Sequence, residues 1–249
     1  MQRVRFPSLN ATLRTVLLSI SLASGQAIAQ TLPLAPDLIA FNSSAGAELL
    51  LESEAKQDYW NLSIQFVTQI NQAYCGVASM VMVLNSMGIT APEAPQYAPY
   101  HVFTQENFFD NPALRQVLAP EVVARQGMTL DQLGQLLNSH PVNVQVYHGG
   151  DVTLAEFRRL IAENLDQQGN FVIVNYLRST IGQERGGHIS PIAAYSAQSD
   201  RFLILDVARY KYPPVWVTAL DLWQATATVD PSVGKTRGFV LVNPRNGSN

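Results

Sequence analysis

Around Gly169 the apolar pattern of the chain changes period, and no other feature limits the fold as strongly. Before it, apolar residues recur at helical spacing. "GAELLLESEAK" reads as a helix. In "QINQAYCGVASMVMVLNSMG", Gln69 to Gly88, Val77, Val81 and Leu84 share one face with Met80 and Met87 beside them. Gly88 supplies a C-terminal cap. "TLDQLGQLLNSH" and "TLAEFRRLIAENLDQQG" open on Thr129 with Gln132 and Thr153 with Glu156, the reciprocal capping pattern. "NPALRQVLAPEVVARQG" gives one or two more helices. "DYWNLSIQFVTQINQ" reads as a loop with a short extended piece, and the proline-rich "APEAPQYAPYHVFTQENFFD" as a loop. "VNVQVYHG" alternates as an early strand. After Gly169, "NFVIVNYLRS", "GGHISPIAAYS", "RFLILDVARY" and "RGFVLVN" are β-rich runs parted by turn residues, with one helix near "TALDLWQAT". Helices followed by an antiparallel sheet predict an α+β fold of two lobes around a cleft.

The N-terminus is set apart. "MQRVRFPSLNATLR" carries Arg3, Arg5 and Arg14 and no acid, then "TVLLSISLASG" is apolar, and Ala27 and Ala29 occupy small-residue cleavage positions. This order predicts a signal peptide over 1–29 and a single domain over 30–249. The apolar run is too short to span a bilayer as a helix. The mature chain is therefore expected outside the cytoplasm, periplasmic or extracellular, without stable membrane association. Removing the leader takes the formal charge from -3 to -6, which excludes the basic footprint of a nucleic-acid binder.

The chain contains one cysteine, Cys75, at the head of a predicted helix. An unpaired Cys in an exported protein points to intermolecular pairing or a reactive thiol, and otherwise to a small buried hydrophobe. A helix N-terminus favours the thiolate through its free N–H groups and partial positive charge. A nearby imidazolium adds to this, and an Asp or Asn behind the imidazole fixes its tautomer. Among four histidines, His101 falls in the proline-rich loop, His140 ends a helix where it can serve the dipole, and His148 precedes a Gly-Gly turn. His188 instead follows two glycines and opens an apolar strand. Eighteen residues on, Asp206 ends the run "RFLILD", and a carboxylate there needs a partner. Gln69, six residues before Cys75, carries an amide that can donate to an oxyanion.

The order Gln69, Cys75, His188, Asp206 resembles that of papain-like cysteine enzymes. "QAYCGVASMVMVLN", "GGHISPIAAY" and "LILDVARYKYPPVWV" look like the phytochelatin synthase family, over about Tyr59 to Asn243. The last string is the most specific. The resemblance implies a papain-like fold and cysteine-dependent acyl transfer on glutathione. Glycine would leave, γ-Glu-Cys would remain as a thioester on Cys75, and water or a second glutathione would accept it. By motif, Cys75 is the nucleophile, His188 the general acid/base, Asp206 its orienting partner and Gln69 an oxyanion donor. Arg178, in "NYLRSTIG", matches a substrate-pocket arginine, with Arg185 and Arg209 as rivals, and Asn175 faces the same pocket. Plant and yeast members carry a further cysteine-rich C-terminal region, whereas no cysteine follows Cys75 here. The chain thus looks like the short bacterial members, in which deglycination outruns polymerisation.

No cofactor is required on this reading. Heavy-metal ions such as cadmium or zinc would enter as glutathione thiolate complexes, since one Cys and scattered His give no zinc-ligand spacing. The partners are glutathione and γ-Glu-Cys peptides, and a homodimer is left open. Two rival readings use the same residues: a general exported papain-like cysteine peptidase, and a non-catalytic binding protein for glutathione or metal thiolates.

Overall fold

The structure, a computed structural model, describes residues 31–245, so the leader expected over 1–29 lies outside the described residues. The helices are α1 (Ser44–Glu52), α2 (Gln57–Ile64), α3 (Cys75–Ser86), α4 (Pro112–Val117), α5 (Pro120–Gln126), α6 (Leu130–Asn138), α7 (Leu154–Leu165) and α8 (Ala219–Thr226). The strands are β1 (Ile39–Ala40), β2 (Val142–His148), β3 (Phe171–Leu177), β4 (Gly187–Ser196), β5 (Arg201–Ile204), β6 (Val215–Thr218), β7 (Val229–Asp230), β8 (Lys235–Thr236) and β9 (Gly238–Pro244). Among the described residues no helix is long and apolar enough to cross a membrane.

Seven strands form one sheet in the order β1-β6-β5-β4-β3-β9-β2, with every pairing antiparallel. The α+β expectation holds. Its simple order does not, because β2, from the helix-rich half, joins the far edge of this sheet beside β9. Side chains alternate across a strand, so Phe171 and Ile173 of β3 enter one core while Val172, Val174 and Tyr176 enter another. Residues of α2, α3, α4 and α6 fill the first, and Phe157, Ile161 and Leu165 of α7 with Leu222 and Ala225 of α8 fill the second. Burial on both faces explains why β3 and β4 read as near-continuous apolar runs.

Helix α3 departs from the one-sided burial expected of it. Every residue from Cys75 to Leu84 is buried, because the helix lies between β4 and α2. It ends as its sequence predicts. Gly88 adopts φ +65, Ile89 N–H donates to Leu84 O at 3.1 Å, and Gly88 N–H donates to Asn85 O at 3.1 Å. Both predicted capping boxes form, at Thr129 with Gln132 and Thr153 with Glu156.

Three expectations need correction. Residues 57–64 form α2 rather than a loop, because packing of Leu62 against the core outweighs a weakly helical composition. The short strand β6 and the hairpin β7–β8 were not expected. His140 does not serve a helix dipole. It is buried beside Phe103 and Phe108, and burial lowers its pKa to about 4, so the ring is neutral.

Candidate active site

The sheet and α3 bring the predicted residues together. Cys75 is the first residue of α3, and its N-cap, Tyr74, makes no side-chain capping bond. The first turn contains no acid. Its N–H groups therefore remain for the site. Ser79, one turn along, donates toward Cys75 O at 2.8 Å and Ile189 O at 3.2 Å, tying α3 to β4 beside the thiol.

His188 is the second residue of β4, opposite Tyr176 of β3. Its Nε2 lies 2.8 Å from Asp206 Oδ1 and 3.0 Å from Ser190 Oγ. Those contacts leave Nδ1 for the Cys75 thiol, to which the ring is hydrogen-bonded. Burial pushes the thiol pKa up. The hydrogen bond and charge of His188, with backbone hydrogen bonds at Ile189 and Gly76, outweigh that, and the net shift is downward. For His188, burial and Arg178 push down while the Asp206 charge and the bonds to Asp206 and Cys75 push up, and the net shift is upward. Thiol and imidazole thus shift toward each other, the direction that favours a thiolate–imidazolium pair.

Asp206 is fully buried just beyond β5. Burial would raise its pKa, but His188 and Arg178 hold it well below the usual carboxylate range. Ala208 N–H donates to its Oδ1 at 2.8 Å.

The structure places Arg178 behind this carboxylate rather than in a substrate pocket. It is 3% exposed. Its Nη2 donates to Asp206 Oδ1 at 2.9 Å, and Nη1 sits 2.8 Å from Oδ2 as an ion-pair contact. That same Nη1 aims its hydrogen bond at Gln183 Oε1, and the guanidinium lies 5.2 Å from the Tyr212 ring centroid. These contacts turn Nη1 and Nη2 inward, and Arg178 is not among the residues that border the pocket described below. Of its rivals, Arg185 is exposed outside the pocket and Arg209 lies over Phe66 at 4.7 Å.

Gln69 is buried close to the Asp206 segment, its N–H donating to Val207 O at 3.0 Å. Both of its amide protons are occupied: Nε2 donates to Asn71 O at 2.7 Å and to the Tyr210 hydroxyl at 3.1 Å.

A pocket of about 680 Å³ opens over the thiol, bordered by Asn71, Cys75, Met128, Asn175, His188 and Arg237. Asn175, on β3, is among its lining residues. Asp230 and Ser232 of the β7–β8 hairpin and Arg125 of α5 also border it. Sequence reasoning missed Arg237, which is 6% exposed. Its Nη1 donates to Val229 O at 2.7 Å and Thr228 Oγ1 at 3.2 Å, while Nε has no partner. A Cβ on Gly187 would fall 3.3 Å from its Nε and Nη2, so Arg237 packs beside the residue that precedes His188. The available signal was a turn, "DPSVG", leading to an arginine at the start of a buried strand. Among the described residues no group of three or more His, Cys, Asp and Glu is placed to hold a metal ion.

The profile of the phytochelatin synthase family matches residues 29–239. The chain is 34% identical over 211 residues to glutathione gamma-glutamylcysteinyltransferase 1 of Lotus japonicus, covering 84% of this chain and 41% of that protein. It is 34% identical over 213 residues to glutathione gamma-glutamylcysteinyltransferase 2 of Arabidopsis thaliana, covering 84% and 46%. Glutathione gamma-glutamylcysteinyltransferase of Schizosaccharomyces pombe is 28% identical over 210 residues, covering 83% and 49%. The chain spans less than half the length of these relatives.

Proposed function

This chain belongs to the phytochelatin synthase family, and from that premise we propose that it removes the C-terminal glycine of glutathione by cysteine-dependent acyl transfer. The observation that carries this reading is the Cys75–His188–Asp206 line, with its thiol shifted down and its imidazole up at the base of an open pocket. Its relatives are named for γ-glutamylcysteinyl transfer from glutathione, which favours this reading over a general peptidase or a binding protein.

The Cys75 thiolate attacks the Cys–Gly carbonyl carbon. His188 delivers its Nδ1 proton to the glycine nitrogen as the C–N bond breaks, leaving γ-Glu-Cys as a thioester. The now neutral ring takes a proton from water, or from the amine of a second glutathione, as that group attacks the thioester. Thiolate departs and the ion pair re-forms. Asp206 holds Nε2–H throughout, keeping Nδ1 on the sulfur side, and Arg178 fixes Asp206. The oxyanion takes the open N–H groups of the α3 start. Gln69 adds to them by exchanging the neutral Tyr210 oxygen for a charged one, a bond roughly twice as strong. Arg237 and Asp230 hold the α-carboxylate and α-ammonium of the γ-glutamyl group, and Asn175 borders the same part of the pocket.

We read α2, α3 and α6 as one lobe and the sheet with α7 and α8 as the other, a papain-like arrangement with the pocket as its cleft. Residues 30–249 form the catalytic domain, and the residues before them export it. Water is the main acceptor, and heavy metal enters bound to glutathione thiolate. The test is glycine release from glutathione by the purified chain, wild type against Cys75→Ser. One glycine per glutathione consumed, and none from the variant, is the expected result. Equal release from both overturns the nucleophile assignment.

A further inference from the structure

Glutathione carries two carboxylates, and two arginines border the pocket that holds Cys75. They are not equivalent. Arg237 is buried, anchored by Thr228 and Val229, and shares its wall with Asp230. Arg125 lies in the last turn of α5, is exposed, and has no hydrogen-bond or ion-pair partner among the described residues.

The chain after Arg125 is seated on the residues that flank the nucleophile. Gly127 adopts φ +71, a conformation that favours glycine, and a Cβ there would lie 3.5 Å from Ala73 O. A Cβ on Gly76 would meet Met128 Sδ at 2.5 Å, so the Met128 side chain lies against the residue that follows Cys75. The end of α5 is thus held at the rim of the pocket with an unpaired guanidinium on it.

Resting on the glutathione reading above, we propose that Arg125 reads the carboxylate of the C-terminal glycine and so confines cleavage to the terminal residue. Charge divides the two arginines between the two ends of the substrate. The γ-glutamyl end carries a carboxylate and an ammonium, and it matches the pair Arg237 and Asp230. The glycyl end carries a carboxylate alone, and it matches the lone cation. Residence time divides them in the same way. The γ-glutamyl group stays on the enzyme through both half-reactions and needs a preorganised, buried anchor. Glycine must depart, and a solvent-screened contact at the rim releases it readily. A peptide that continues past glycine, or one that ends in an amide, presents no such charge.

The experiment compares kcat/KM for glutathione and for glutathione amidated at the glycyl carboxylate, in wild type, Arg125→Met and Arg125→Lys. Wild type is expected to favour the acid by roughly tenfold, the scale of a charge-assisted bond at an exposed site. Arg125→Met should lose most of that preference through a higher KM for the acid, and Arg125→Lys should keep part of it. Arg237→Met should weaken both substrates alike. An Arg125→Met enzyme that still releases glycine and keeps the wild-type preference overturns the assignment to Arg125 and leaves the function standing. No glycine release by wild type overturns the glutathione reading, and this inference with it.

Discussion

Helices α3 and α7 are both 12 residues long, yet they begin in opposite ways. At α7, Thr153 Oγ1 accepts from Glu156 N–H while Glu156 accepts from Thr153 N–H at 2.8 Å, so the open end of the helix is closed. At α3, Tyr74 offers no side-chain cap and the first turn has no acid. A capping carboxylate there would compete for the N–H groups and repel a thiolate. What α7 does for stability, α3 leaves undone where Cys75 stands. The start of α2 is a third case. Asp58 is buried there, neither of its oxygens has a partner, and burial raises its pKa to about 9.

Five substitutions probe this contrast. Cys75→Ser is expected to abolish glycine release while the thermal midpoint, read by circular dichroism, stays near wild type. His188→Ala should lower kcat by about 10²–10⁴-fold, the usual range for losing a proton carrier. Rapid-quench kinetics would read that, and a loss below tenfold would remove His188 from the proton path.

Asp206→Asn should cost less in kcat than His188→Ala but more in stability. It leaves the buried Arg178 without its charge partner, at about 3–5 kcal/mol by denaturant titration. Because the Asp206 carboxyl is depressed in the fold, its contribution is present above the unfolded carboxylate range and is lost as pH falls through the folded value.

Asp58 has the opposite sign. Its raised value means that stability is greatest below the unfolded carboxylate range and declines as pH climbs toward about 9. Asp58→Asn should therefore raise stability near neutral pH by a few kcal/mol and change little in acid. The smallest effect belongs to α7. Thr153→Ala should cost about 1 kcal/mol and leave kcat alone. A comparable loss of turnover there would erase the distinction between the two helix starts.

The legible parts of this molecule are those where local chemistry and tertiary fold agree. Thr129 with Gln132, Thr153 with Glu156, and Gly88 announce helix ends through backbone hydrogen bonds that form within a few residues. Cys75, His188 and Asp206 were legible because each sits at a junction where an unusual polar group meets an apolar run. Helix α2 was not, because its exposed Trp60 and Ile64 break the apolar period and long-range packing decides its conformation. Arg178 and Arg237 were hard to tell apart in the sequence for a related reason. A sequence does not tell which of several arginines turns inward to a carboxylate and which faces a pocket. The pairing that turns Arg178 inward spans 28 positions. Gln69 shows the same limit, since its bond to Tyr210 spans 141 positions.

The central claim is that Cys75, at an uncapped helix start and paired with His188, takes up γ-Glu-Cys. Intact-protein mass spectrometry of the purified chain after a brief pulse of glutathione, with and without cadmium, tests it directly. The account predicts a γ-Glu-Cys adduct on Cys75 together with free glycine. A folded protein with a reduced thiol that shows neither would contradict it.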